Sequence, residues 1–219
     1  ITALQSEGKT VIGVASSSSH TPQILGYLGI ADRLRDTSLQ AIQRLQAMNI
    51  DIVMLTGDNA ITAAAIAKHT GIVHYRAEVL PQDKAAEVIN MKANGKVIAM
   101  VGDGINDAPA LAAADVSFAI GAGSDVAIEA ADITLIRNDL MSVADAISLS
   151  HATLKKIRQN LFFAFIYNIL GIPLAAIGML NPVIAGAAMA MSSVSVVTNS
   201  LLLKRWQPGH SLKLSKEKS

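Results

Sequence analysis

Between Gln159 and Leu203 the chain carries no Asp, Glu, Lys, Arg or His. These 45 residues would extend about 67 Å as one helix, at about 1.5 Å per residue. A bilayer core needs only about 20 residues. The stretch therefore predicts two spans folded at Asn181-Pro182, over 161–179 and 183–203. Lys155, Lys156 and Arg158 precede the pair, and Lys204 and Arg205 follow it. Basic flanks mark the cytoplasmic side, which places both ends inside and the short turn outside. A buried hairpin of a soluble protein is the competing reading, but such hairpins rarely lack charge on both helices.

The rest of the charge is distributed accordingly. Residues 1–158 hold 13 Lys/Arg against 16 Asp/Glu, as in an ordinary soluble domain. Residues 159–219 hold five Lys/Arg and only Glu217. A small basic excess beside an apolar run suits a membrane flank and not a nucleic-acid partner. With no cysteine, a disulfide framework and a thiolate metal site are excluded within this chain. The opening "ITALQSEGKTVIGVA" reads as the middle of a longer protein, and "SSSSH" (16–20) as a loop between strands at 11–15 and 25–30.

Downstream, helices are predicted over 37–48, 60–68, 82–93, 108–113, 125–130 and 140–157, the last running towards the first span. Strands alternate with them over 50–55, 73–75, 97–101, 116–120 and 133–136. Such alternation predicts a parallel sheet covered by helices. "IVML" and "VIAMV" are apolar throughout, as in strands buried on both faces. Ligands in such sheets bind beyond the carboxyl ends of the strands.

Three polar clusters sit at or near such ends. "LTGDN" (55–59) offers the hydroxyl of Thr56 and the backbone of Gly57 and Asp58 to an anion. "LPQDK" puts Lys84 in the opening turn of a helix, and "VGDGIND" (101–107) supplies Asp103 and Asp107 with Asn106. A hydroxyl and an ammonium bind phosphate oxygens, whereas carboxylates hold Mg²⁺, a hard cation that prefers oxygen. Gly102 and Gly104 let the backbone turn close to the ion. The set points to phosphoryl transfer, in which the ion offsets phosphoryl charge.

At these residues the chain resembles the P-type ATPases. "MLTGDN", "LPQDK" and "VGDGINDAPALAAADVSFAIGAGSDVAIEAADITLI" stand in that family's order and spacing. The resemblance implies an α/β fold: a haloacid-dehalogenase-like Rossmannoid parallel sheet followed by a two-helix transmembrane hairpin. It implies that Thr56 and Lys84 contact an aspartyl-phosphate, and that Asp103 and Asp107 hold Mg²⁺ with Asn106 completing the network. Gly102 and Gly104 are expected near the cofactor, ATP. Asp32 and Arg35, in "GIADRLRD", resemble the hinge of the nucleotide-binding domain. The family's DKTGT nucleophile motif does not occur here, so the expectation is the C-terminal portion of a pump, unable to phosphorylate itself alone. Residues 1–30 are expected as a nucleotide-domain remnant, 31–150 as the phosphorylation domain, 151–205 as the membrane helices and 206–219 as a cytoplasmic tail.

For the ion, Met189 and Ser193 lie at i and i+4 on one helix face, near mid-span like Tyr167-Asn168. A thioether suits Cu(I), and polar groups at that depth often line a pathway. Met as gap filler and Ser as a close-packing residue remain open. The YN pair followed by MxxSS resembles the copper(I)-exporting subgroup, and the last helix lacks the Asp usual in the zinc and cadmium subgroup. That resemblance implies transported Cu⁺, with Ag, Zn or Cd as alternatives, export from the cytoplasm and a plasma-membrane location. Its expected partners are the missing N-terminal part of the pump, the lipid bilayer and a copper chaperone. A soluble phosphatase domain would share the Thr, Lys and Asp positions but lack the charge-free tail; a non-catalytic membrane fragment would fit the missing nucleophile.

Overall fold

The computed structural model describes residues 1–16, 23–30, 34–93, 95–102, 105–121, 129–178 and 181–208. The chain divides into two compact units, Ile1–Ala144 and Asp145–Ser219.

The first unit opens with a short helix, α1 (Thr2–Ser6), and a hairpin of β1 (Thr10–Ser16) and β2 (Gln23–Ile30). The hairpin is antiparallel, with a register shift between Val14 and Ala15. The loop expected at 16–20 lies, beyond Ser16, outside the described residues. Helices and strands then alternate: α2 (Asp36–Ala47), β3 (Val53–Leu55), α3 (Ala60–Thr70), β4 (His74–Arg76), α4 (Pro81–Ala93), β5 (Ala99–Gly102), α5 (Ala108–Ala113), β6 (Val116–Ile120) and β7 (Ile133–Leu135). Pairing after the hairpin is parallel throughout, in a β3–β4 ladder and a β5–β6–β7 ladder. The helix expected at 125–130 falls outside the described residues except for Glu129 and Ala130, which are helical.

Local chemistry sets the boundaries. Asn49 takes a left-handed φ of 59°, and the Ile50 amide donates back to Leu45 O at 3.2 Å. Residue 50 therefore closes α2, and the strand expected from 50 starts only at Val53. Asn59 caps α3 by accepting from the amides of Ile61 and Thr62, and Gly71 ends that helix at φ 74°. The core is built from small and branched side chains: Ala41 and Ile42 of α2, Ala63 of α3, Val88 of α4, Leu111 of α5 and Phe118 of β6 are buried.

Two aspartates brace the amino ends of the β5–β6–β7 ladder. Asp115, just before β6, accepts from the Ile98 amide at 2.9 Å and pairs with Lys92 at 2.9 Å. Asp132, just before β7, accepts from the Ser117 amide at 2.9 Å and the Ser117 hydroxyl at 2.8 Å. Each carboxylate thus ties the start of its own strand to its neighbour. The Ile98 amide bond foremost holds the Asp115 carboxyl below the usual carboxylate range. The Ser117 hydroxyl does the same for Asp132.

In the second unit, the helix expected over 140–157 and the first expected span form one element, α6 (Met141–Ala176). No Gly or Pro interrupts it before Gly171, which explains the fusion. After Pro173 the helix ends, with Gly178 at φ 73°, so the span closes earlier than 179. The second helix, α7 (Pro182–Leu201), starts with Pro182 at its first position and Asn181 as cap, its side chain accepting from the Val183 amide at 2.8 Å. A short 3₁₀ turn, Leu202–Arg205, follows. Both helices are long and apolar enough to cross a membrane. Their apolar side chains are widely exposed, Phe162 at 61% and Ile172 at 68% among them.

A carboxylate held below its unfolded value stabilises the fold above that value, and the contribution is lost as pH falls towards the native value. Asp132 therefore contributes above about pH 3.8, the ordinary carboxylate value, and loses its contribution below it. Asp132→Asn is expected to lower the unfolding temperature at neutral pH and to flatten its decline as pH falls below about 3.8. Thermal unfolding followed by circular dichroism checks this; an unchanged acid slope would remove Asp132 from the brace.

Candidate functional site

The carboxyl ends of β3 and β4 are stitched together. The Thr56 amide donates to Arg76 O at 3.0 Å, the Val79 amide to Thr56 O at 3.0 Å, and the Glu78 amide to Asp58 O at 2.8 Å. Glu78 adopts φ 58° to make this turn. Within the Thr-Gly-Asp loop, the half-buried Thr56 hydroxyl donates to Asp58 Oδ2 at 2.9 Å and accepts from the Asp58 amide at 3.1 Å. Asp58 also accepts from the Thr10 hydroxyl at 3.4 Å. Gly57 is exposed at the tip of this loop, and a methyl group there would meet nothing nearer than Val79 O at 3.7 Å.

The same stitching positions the lysine. Val79 is pinned to Thr56, and α4 starts two residues later, with the Lys84 amide donating to Leu80 O at 3.2 Å. From this first turn the Lys84 ammonium reaches Asp107 Oδ1 at 2.7 Å. The two side chains are only 17% and 14% exposed, so the pair is largely shielded from water. Asp107 ends the 3₁₀ turn Ile105–Asp107 that follows β5.

Gly102, the last residue of β5, makes the pair sterically allowed. A Cβ there would lie 2.6 Å from Asp107 Cβ and 2.8 Å from Asp107 Oδ2. The backbone at the strand end thus occupies the space beside the carboxylate that a side chain would fill. This is the closest approach recorded for any described glycine.

The remaining predicted residues are placed as follows. Asn106 is exposed beside Asp107, and Arg35 is exposed as the residue that precedes α2. Asp32, Asp103 and Gly104 lie outside the described residues. Among the described residues no cluster of three His, Cys, Asp or Glu side chains is set to hold an ion. Mg²⁺ asks for less: one or two carboxylates, completed by water and phosphate oxygens. Asp107, with one oxygen on Lys84 and the other against Gly102, fits that donor chemistry.

On the helices, Ser193 donates to Met189 O at 3.3 Å, as its i+4 position on the same face requires. Met189 is 71% exposed. The Tyr167 hydroxyl lies 3.5 Å from the Ser195 hydroxyl across the pair. Asn168 donates to Ala164 O of its own helix at 2.8 Å. No hydrogen bond joins Tyr167 or Asn168 to Met189 or Ser193 among the described residues.

Sequence reasoning passed over a second polar group on these helices. Lys156 donates to Asn199 Oδ1 at 2.8 Å, Asn199 to Asn160 Oδ1 at 2.7 Å, and Asn160 to Ser200 Oγ at 2.7 Å. Its signal was present: Asn160 and Asn199 sit near opposite ends of the charge-free run, where an antiparallel hairpin brings them level.

Comparison with known proteins bears on both parts. The family profile described as haloacid dehalogenase-like hydrolase matches residues 1–115. A copper-exporting P-type ATPase of Bacillus subtilis is 56% identical over 202 residues, covering 92% of this chain and 25% of that protein. A probable copper-importing P-type ATPase A of Enterococcus hirae is 54% identical over 204 residues, covering 92% of this chain and 28% of that protein. The chain thus spans about a quarter of the length of these curated relatives. Among solved structures, a zinc-transporting PIB-type ATPase in its E2.Pi state is similar with a TM-score of 0.78 and 38% identity, covering 92% of this chain and 32% of that one.

Gly102→Ala is expected to push Asp107 away from Lys84 and to cost about 1–3 kcal/mol of stability, because the nearest clash is with Asp107 Cβ, which cannot move without its backbone. Thermal unfolding of the variant measures the loss; an unchanged unfolding temperature would mean that the Gly102–Asp107 approach is dispensable.

Proposed function

The chain belongs to the haloacid dehalogenase-like hydrolase family, and from that premise we propose that it is the C-terminal part of an ATP-driven pump that exports Cu(I) from the cytoplasm through an aspartyl-phosphate. The observation that carries this reading is the Lys84–Asp107 pair seated on Gly102 at the carboxyl end of β5. On this reading residues 1–30 are a remnant of the nucleotide-binding domain, 31–150 the phosphorylation domain, 151–205 the membrane helices and 206–219 a cytoplasmic tail. The nucleophilic Asp belongs to the rest of the protein, since no DKTGT motif occurs in this sequence.

Each residue then has a definite task. Lys84 presents its ammonium to the phosphoryl oxygens, and Asp107 holds it in place across 2.7 Å. Thr56 and Gly57 offer a hydroxyl and an amide to the same group, with Asp58 orienting Thr56 through two hydrogen bonds. Asp103 and Asp107 would hold Mg²⁺, with Asn106 completing the network and Gly102 and Gly104 keeping the backbone close. Bound there, Mg²⁺ supplies charge neutralisation for the transferring phosphoryl group. Asp32 and Arg35 serve the nucleotide at the domain hinge.

In the membrane, Tyr167, Asn168, Met189 and Ser193 form this chain's share of the copper path. The thioether of Met189 is the soft donor, and the oxygen and amide groups are its harder neighbours. Identity of 54–56% to copper-transporting relatives, against 38% to the zinc-transporting structure, supports copper as the cargo. The helices' exposed apolar flanks support a bilayer location with the phosphorylation domain on the cytoplasmic side. The rest of the pump and a copper chaperone are the expected partners.

Two experiments on the full-length protein test this. Asp103→Ala is expected to abolish Mg²⁺-dependent phosphoenzyme formation, and Lys84→Met to reduce it by on the order of 100-fold; retained phosphoenzyme in the first would sink the site assignment. Met189→Ala is expected to weaken Cu(I) binding by on the order of tenfold, while unchanged stoichiometry and affinity would remove Met189 from the path. ATP-driven Cu(I) uptake into inside-out vesicles establishes export, and its absence alongside uptake in right-side-out vesicles would favour import.

A further inference from the structure

At its basic end α6, with Asn199 of α7, lines an open cavity of about 870 Å³. Lys155, Lys156 and Arg158 bring the charge to its lining, and Phe162 and Phe163 the apolar surface. A second cavity of about 300 Å³ shares Lys155, Lys156 and Gln159 and adds Arg205 and Trp206 from beyond α7. Cations and Trp at the end of an apolar span are the composition of a membrane–water interface.

Among the described residues this charge has no acidic partner. No acidic residue occurs between Asp145 and Glu217. Among the described residues no carboxylate lies within ion-pair distance of Lys155, Lys156 or Arg158. Lys156 is engaged by Asn199, itself only 9% exposed, and this bond ties one wall of the cavity to α7. Lys155 and Arg158 are exposed and uncommitted. A surface so arranged attracts an anion.

A second observation narrows the chemistry. Gln159, which lines both cavities, has a fully buried Oε1 with no hydrogen-bond partner. An unsatisfied buried acceptor calls for a donor. A ligand that meets both demands carries a phosphate for Lys155 and Arg158 and a hydroxyl for Gln159. Apolar chains attached to it would continue along α6 past Phe162 and Phe165, which are 61% and 59% exposed.

We propose that this cavity binds the headgroup of an anionic glycerophospholipid bearing free hydroxyls, the chemistry of phosphatidylglycerol, in the cytoplasmic leaflet. The inference rests on the reading of α6 and α7 as spans and not on the identity of the transported ion. Basic pockets between spans on the cytoplasmic side suit such headgroups, and each cation near the surface contributes about fivefold in affinity. The lipid would screen the repulsion among Lys155, Lys156 and Arg158 and donate to Gln159.

The test uses the full-length protein in detergent, titrated with 1-palmitoyl-2-oleoyl phosphatidylglycerol, phosphatidic acid or phosphatidylcholine and read by native mass spectrometry. Phosphatidylglycerol is expected to bind in preference to phosphatidylcholine. Lys155→Ala combined with Arg158→Ala should weaken phosphatidylglycerol by about 25-fold, whereas Lys155→Arg with Arg158→Lys should keep it. Gln159→Leu should bring phosphatidylglycerol down to the level of phosphatidic acid, which lacks the hydroxyls. Inorganic phosphate should leave bound lipid in place. Equal retention by the double alanine variant overturns the proposal, and displacement by phosphate overturns it in favour of a free anion. Carbonate extraction of membranes separates this failure from that of the span reading: protein released by carbonate contradicts the spans, while protein retained without lipid preference contradicts only the headgroup site.

Discussion

One contact organises the first unit's chemistry: the backbone of Gly102 against the side chain of Asp107. A methyl group on residue 102 would lie 2.6 Å from Asp107 Cβ, closer than real side chains approach. Only glycine at the end of β5 lets the chain double back through the 3₁₀ turn with its carboxylate folded over the strand. That carboxylate holds Lys84, which arrives from α4. The entry of α4 is itself fixed by the hydrogen bond from Val79 to Thr56 at the end of β3. Three segments distant in sequence thus converge through one missing Cβ, one ion pair and one backbone hydrogen bond.

The aspartates at the two ends of the parallel ladders have different partners. Asp115 and Asp132 sit at the amino ends of strands, each accepting from the backbone of the neighbouring strand, and their carboxyls are held below the usual range by those bonds. Asp58 and Asp107 sit at carboxyl ends, where the first turns a threonine hydroxyl and the second an ammonium. The same residue type therefore meets different partners at the two ends of these parallel ladders, and position along the strand decides which. Strand amides at the amino end need an acceptor, whereas the carboxyl end opens on the loops where ligands gather.

Alternation of apolar runs with amphipathic segments was enough to read the described strands and helices from 37 onwards, because each buried strand and each helix stripe leaves its own period. The pairing of Lys84 with Asp107 was legible only as chemistry: both residues stood out, but their 2.7 Å contact depends on α4 starting at Pro81 and on the turn after Gly102. Boundaries were less legible. The strand expected from 50 was shortened because Asn49 in a left-handed turn draws Ile50 into the end of α2, a local hydrogen bond that hydrophobicity does not report. The helix expected over 140–157 and running towards the first span is continuous with it, because a change from charged to apolar residues alters a helix's surroundings but not its backbone. Asn160 and Asn199 were passed over because single amides in an apolar run carry no pattern until the hairpin brings them level.

The two helices distribute their polar groups unequally along their length. At the basic end, Lys156, Asn160, Asn199 and Ser200 bond across the pair in an unbroken chain. Farther along, Tyr167 reaches Ser195 only at 3.5 Å, while Asn168 and Ser193 bond to carbonyls of their own helices. Cross-helix bonds fix the register of the pair at that end. Bonds to the own-helix backbone leave a side chain free to exchange that partner for another at small cost. On the proposed transport reading this asymmetry is useful. The clamped end keeps α6 and α7 moving as one body, while the donors at mid-depth stay available to take up and release an ion. A pair clamped throughout would bind nothing, and a pair clamped nowhere could not carry a displacement from the cytoplasmic end to the ion.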